Sequence, residues 1–262
     1  MKITVCTANI GDNVKYEEID HGWPRDIDFL YFTDKPKDIF DAAPTSSNYK
    51  FIHVPHNKYE DDSVCPKNRK LAKRIKIKYN EFIDECDWVI WIDAQRHFRC
   101  HERLGERFRE YISQIPENID IVFKTHPRNK TVFEELEEVK KKKLDNPVAL
   151  DEWKNTMETQ RFDKVDHVLS ETNIIFFRYT PRNIPVGFYN EWWNKSTNML
   201  RRDQLTLNYL IWKHSIEDHV VITPLEKTFP LKWLEKTPKG KREWVIKTKN
   251  PAVRVPRYQR KK

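Results

Sequence analysis

The chain reads as an α/β protein built on a mostly parallel sheet flanked by helices, and three observations predict it. Seven short apolar runs are each bounded by polar residues or proline. Segments with helical apolar spacing lie between several of them, and strands alternating with helices imply parallel pairing. The run Trp88–Ile92 is apolar throughout, as a strand covered on both faces needs to be. With 262 residues, 38% of them hydrophobic, the chain can build one sizeable core. We therefore expect a single main domain over residues 1–235, followed by a basic extension over 236–262.

The strands are expected, in order, at 3–9 (ITVCTAN), 28–34 (DFLYFTD), 49–54 (YKFIHV), 87–94 (DWVIWIDA), 119–127 (IDIVFKTHP), 173–179 (NIIFFRY) and 219–225 (HVVITPL). Each is rich in the β-branched and aromatic side chains that pack well on a pleated surface. A helix is expected over 68–85, where Leu71, Ile75, Tyr79, Phe82 and Ile83 form one apolar stripe. Another follows Thr131, because Thr131 to Glu134 has capping-box form and the acids after it give way to Lys140–Lys143, the order a helix dipole prefers. A third begins near Pro185, and a fourth, DQLTLNYLIWK, starts from Asp203. Beyond Lys236 the periodicity fades and Pro238, Pro251 and Pro256 predict an irregular tail.

Composition excludes several functions. Only five glycines are present, at 11, 22, 105, 187 and 240, so neither GxGxxG nor GxxxxGK[ST] can be written. The four cysteines form no CxxC pair, His97 and His101 form no HExxH, and no GxSxG occurs. Structural zinc and serine-hydrolase chemistry are thus disfavoured. Residues 236–262 hold eleven Lys or Arg against Glu243 alone, a net of +10 in a chain of net +8, which leaves the body at −2. Such a tail suits an acidic polymer or a membrane surface, while no motif for specific nucleic-acid binding is present. Without a leader or a long apolar run, the sequence as given points to the cytoplasm.

Ligands of open parallel sheets collect at the carboxyl ends of the strands. Thr7–Asn9, Asp34, Asp93 and His126–Arg128 fall at such ends. Asp93 is either a ligand contact or the cap of the following segment. Arg69, Lys73 and Lys76, at i, i+4 and i+7, put a cationic stripe beside the apolar one, which suits a diphosphate or a solvated face. Asp203 heads a helix; an N-cap carboxylate held by backbone N–H groups stays ionised and suits a metal or hydroxyl contact better than a general base.

The succession TAN, YFTD, NRKLAKRIK, WIDAQ, HPR, SETNIIFFR and RDQLTLNYL resembles the glycosyltransferase-like domain of the plant mucilage-related and turgor-defect proteins, over roughly residues 3 to 215. More widely it is similar to the GT-A nucleotide-sugar transferases. The resemblance implies a GT-A-like sheet, a nucleotide-sugar donor and a glycan acceptor. Thr7, Ala8 and Asn9 would lie under the nucleotide with Asp34 nearby, and Arg69, Lys73 and Lys76 would face the diphosphate. Asp93 and Gln95 would match the DxD element. His126, Arg128, Glu171, Arg202 and Gln204 would border acceptor or sugar, and Asp203 would be the catalytic base. The DxD element reads Asp93-Ala94-Gln95, and Gln95 supplies no negative charge to a Mn²⁺ or Mg²⁺ ion. Either Asp93 holds a metal with help from elsewhere, or the cationic stripe neutralises the leaving diphosphate alone. Two rival readings stand beside the transferase: a non-catalytic polyanion-binding protein, and a degenerate fold that binds nucleotide sugars without turnover.

Overall fold

The computed structural model describes residues 1–11, 26–34, 49–55, 64–94, 96–98, 104–128, 130–223 and 234–236. Gln95, His101 and the tail beyond Lys236 lie outside these residues. All seven expected strands form: β1 (Ile3–Asn9), β2 (Asp28–Thr33), β3 (Tyr49–His53), β4 (Trp88–Ile92), β6 (Ile121–Thr125), β7 (Ser170–Arg178) and β8 (Val220–Thr223). Two three-residue strands, β5 (Arg96–Phe98) and β9 (Leu234–Lys236), pair in a separate small sheet that sequence analysis did not anticipate.

The main sheet runs β3-β2-β1-β4-β7-β6-β8. Four of its pairings are parallel, but β7 is antiparallel to both β4 and β6. Periodicity carries no strand direction, so the sequence could not place this reversal. Its consequence is positional: the amino end of β7 joins the carboxyl ends of β1, β2, β4 and β6 on one edge.

Among the described residues six helices flank the sheet: α1 (Lys67–Ile77), α2 (Leu104–Ser113), α3 (Val132–Lys141), α4 (Pro147–Thr159), α5 (Val186–Asn198) and α6 (Gln204–Lys213). The expected helix over 68–85 ends early, at Ile77, and a 3₁₀ turn at Tyr79–Glu81 carries the stripe onward. Thr131 caps α3 as expected, accepting from the Glu134 N–H while Glu134 Oε2 accepts from the Thr131 N–H.

Strand alternation sorts the core into two layers. Cys6, Ala8, Val89, Trp91, Phe123, Ile175 and Phe177 face α1 and α3–α6, whereas Val5, Trp88, Ile90, Val122, Ile174 and Phe176 face α2. In the larger layer Trp153 and Trp192 are fully enclosed. Their indole N–H groups donate to Leu205 O at 3.0 Å and Asp203 O at 3.1 Å. The aromatic core thereby fixes the start of α6.

Candidate functional site

On β4, Val89 and Trp91 face the α1 layer, so alternation sends the next odd residue, Asp93, to the same side. There Lys76, buried on α1, places its Nζ 2.7 Å from Asp203 Oδ2 and 3.5 Å from Asp93 Oδ1. Asp93 Oδ1 also accepts from the Trp91 indole at 2.9 Å, and its backbone N–H donates to Asn173 O at 2.9 Å. Asp203 Oδ1 accepts from the Thr172 hydroxyl at 3.2 Å. One ammonium thus ties β4 and the head of α6 to α1.

Asp203 does stand at the N-cap of α6, but its side chain makes no capping bond there. Burial pushes its carboxyl up, yet Lys76, Lys73 and the Thr172 hydroxyl outweigh that and hold it below the usual carboxylate range. The same partners act on Lys76: burial opposes its charge, and Asp203 and Asp93 more than restore it, so its pKa lies above the usual ammonium range. Both groups are therefore ionised near neutrality.

The three expected cations separate. Lys73 is buried, and its ammonium donates to the backbone carbonyls of Ser196 and Arg201, pinning α1 to the turn between α5 and α6. Burial lowers its pKa, with the nearby Lys76 and Arg69 charges adding to the effect, against an opposing pull from Asp203 and Cys65. Arg69, by contrast, is exposed. Lys73 acts on the local architecture, and Arg69 is accessible to a ligand.

A bulge delivers the β7 residues. Phe123 pairs with Ile175, but the next residue, Lys124, pairs with Glu171. The extra residues of β7 break the alternation here and re-aim their neighbours, as bulges beside sites do. Thr172 reaches Asp203, Asn173 O reaches Asp93, and Glu171 Oε2 meets Lys124 Nζ at 3.0 Å. Glu171 Oε1 also accepts from the Asn173 amide at 2.7 Å.

Beside this lies a second group, centred on a residue that sequence analysis missed. Glu135 is buried, 2% exposed. Its Oε1 takes the Gln204 amide at 2.7 Å and Arg202 Nη2 at 3.2 Å, and its Oε2 is 3.8 Å from His126 Nε2. His126, Arg202 and Gln204 are brought together around this carboxylate. Arg128 is exposed and joins through its backbone N–H, which donates to His126 Nδ1 at 3.4 Å. A signal for Glu135 existed: it falls on the apolar face of α3, three residues after Val132 and beside Leu136.

At the end of β1, Thr7, Ala8 and Asn9 are buried, and the Asn9 amide donates to Tyr31 Oη at 2.9 Å. Asp34 Oδ2 accepts from the Gly11 N–H at 3.0 Å. Gly11 has φ +83°, and a Cβ there would run into the Asn68 amide of α1. Glycine suits that positive-φ backbone, which L side chains rarely adopt.

The residues present fit a divalent ion poorly. Three of the four oxygens of Asp93 and Asp203 already accept from Lys76, Trp91 or Thr172. A hard cation seeks about six oxygens, and among the described residues no group of three His, Cys, Asp or Glu side chains converges to hold one. Nor is any helix among them long and apolar enough to cross a membrane.

No protein-family model matches the chain, and a comparison with curated proteins returns no match. Among solved structures the chain is similar to galactosyltransferase LgtC in complex with donor and acceptor sugar analogs, with TM-score 0.47 and 10% identity over 84% of this chain and 72% of that one. It is similar as well to mouse xyloside xylosyltransferase 1 in its apo form, with TM-score 0.47 and 9% identity over 85% of each chain. A third is the apo WbbM bifunctional glycosyltransferase, with TM-score 0.44 and 13% identity over 86% of this chain and 39% of that one.

Proposed function

We propose that the chain is a GT-A-like glycosyltransferase that moves a sugar from a nucleotide-diphosphate sugar to a hydroxyl of a glycan acceptor. The observation that carries this reading is the Asp93–Lys76–Asp203 arrangement at the carboxyl edge of the sheet. It supplies carboxylates for sugar hydroxyls and a cation for a leaving phosphate at the edge where α/β folds collect ligands. The ordered motif resemblance over residues 3 to 215 supports the same reading.

In this mechanism Thr7–Asn9 and Asp34 line the nucleotide, and Arg69 and Lys76 meet the diphosphate. The acceptor hydroxyl attacks the anomeric carbon and its proton passes to Asp203. The bond from that carbon to the diphosphate breaks, and the electron pair leaves on a phosphate oxygen. Cations stabilise the charge growing there. Before the donor arrives, Lys76 holds Asp203 as a weak base. Phosphate oxygens compete for the same ammonium, and as its hold loosens the Asp203 pKa rises toward a value useful for taking a proton. Glu171 and the Glu135 group, with His126, Arg128, Arg202 and Gln204, border the acceptor side.

Thermal stability against UDP, GDP, ADP, TDP and CMP tests this. Ligand at about 100 times its Kd adds about 2.7 kcal/mol, or roughly 5–10 °C for a protein near this size. A shift selective for one base is expected. No shift with any nucleotide, in a folded sample, would move the reading to polyanion binding by the tail, whose net charge of +10 predicts affinity that collapses with salt.

A further inference from the structure

We infer that Lys76 is the resident cation of this edge: its ammonium fills the place between Asp93 and Asp203 that a divalent ion would take, so the site excludes metal and receives a diphosphate on lysine. The second half of that statement rests on the transferase reading; the first does not.

A DxD element that has lost its second carboxylate, Asp93-Ala94-Gln95, lacks the charge that normally draws Mg²⁺ or Mn²⁺. The fold offers a replacement carboxylate, Asp203, from a different element, and two converging carboxylates would again attract a cation. The chain meets that demand with a side chain. Lys76 Nζ sits 2.7 Å from Asp203 Oδ2 and 3.5 Å from Asp93 Oδ1, on a side chain only 6% exposed. It also lies 5.8 Å from the centroid of the Trp91 ring, on whose indole N–H Asp93 depends.

Two features make the position built rather than incidental. Lys73, one turn earlier, is anchored on the Ser196 and Arg201 carbonyls and holds this stretch of α1 against the head of α6. Trp192 holds the other side by donating to Asp203 O. A divalent ion entering between the carboxylates would have to displace an ammonium from an enclosed pocket of partners and stand beside a second one. Like-charge repulsion in so poorly solvated a setting disfavours it.

Mn²⁺ binding, read by electron paramagnetic resonance without nucleotide, tests the assignment in the full chain. With equimolar Mn²⁺ added, wild-type protein is expected to leave nearly all of the ion free. Lys76→Met is expected to gain one Mn²⁺ per chain, lost again in the Lys76→Met/Asp93→Asn double variant. Lys76→Arg, which keeps the charge, is expected to bind none. A wild-type chain that binds one Mn²⁺ released by Asp93→Asn would overturn the inference, as would a folded Lys76→Met that gains none. Should Lys76→Met not fold, the wild-type and Lys76→Arg measurements still decide. Nucleotide-diphosphate binding in EDTA separates the two claims. Exclusion of Mn²⁺ with no nucleotide bound by any form sinks the transferase reading and leaves Lys76 as the resident cation. Nucleotide binding that requires Mn²⁺ sinks the inference and leaves the transferase.

Discussion

Replacing Asp203 by Asn removes one charge and almost no volume, and it strikes the Asp203–Lys76 pair at its better-buried contact. The two side chains are 15% and 6% exposed and 2.7 Å apart. Breaking a buried pair by deleting one partner costs about 3–5 kcal/mol, because the other charge is left uncompensated. Here Lys76 keeps a longer contact with Asp93, which is 30% exposed, so the lower end applies, about 3 kcal/mol. At roughly 2–4 °C per kcal/mol for a chain of this size, the variant should melt about 6–12 °C below wild type at pH 7. The difference is also pH-dependent. Asp203 is depressed in the folded state, so its contribution is complete above the unfolded carboxylate value and is lost as pH falls through the lower folded one. The wild-type advantage should therefore hold from pH 8 down to about 4 and shrink progressively as the pH falls further. Thermal denaturation followed by circular dichroism reads both, and a double-mutant cycle with Lys76→Met should show coupling of about 1–3 kcal/mol. Additive single and double variants, or an advantage that persists unchanged at pH 2.5, would refute the reasoning.

Other perturbations separate site from scaffold. Arg69→Ala should weaken nucleotide-diphosphate binding about 10-fold or more, the worth of a charge-assisted hydrogen bond, while the melting temperature of the free protein stays within about 1 °C because Arg69 is exposed; calorimetry checks the first and scanning calorimetry the second. Thr131→Ala removes the α3 capping box and should cost about 1 kcal/mol, or 2–4 °C, with nucleotide binding unchanged. Trp153→Ala, in contrast, empties a fully enclosed site and removes the indole hydrogen bond to the Leu205 carbonyl, so a loss of about 3–5 kcal/mol in chemical denaturation is expected.

Much of this architecture was legible because period-two and helical patterns report which face is buried. Every strand of the main sheet was readable, as were the starts of α3, α5 and α6. Helices α2 and α4 were not expected although Leu104, Phe108 and Ile112, and Leu150, Trp153 and Met157, carry helical spacing; each shows a stripe of only three large apolar residues, which is a weak periodic signal. The direction of β7 was beyond reach, since an apolar run reads alike both ways. That reversal, with its bulge, is what brings Glu171, Thr172 and Asn173 to the edge. Local spacing also made Arg69, Lys73 and Lys76 look equivalent. Only the packing of α1 against α5 and α6 assigns one to a backbone turn, one to two carboxylates and one to solvent.

The bulge in β7 has a further consequence for how such a site can change over time. On its core side, Ile175 and Phe177 stay locked to Phe123 and Ile121, and any slip there would turn a full row of apolar side chains outward. On its outer side the extra residues act as slack in the strand. Insertions, deletions or substitutions among residues 171–173 can be absorbed without disturbing that register. The carboxyl edge can then be altered by a handful of local changes, while the buried sheet that keeps the chain folded stays untouched.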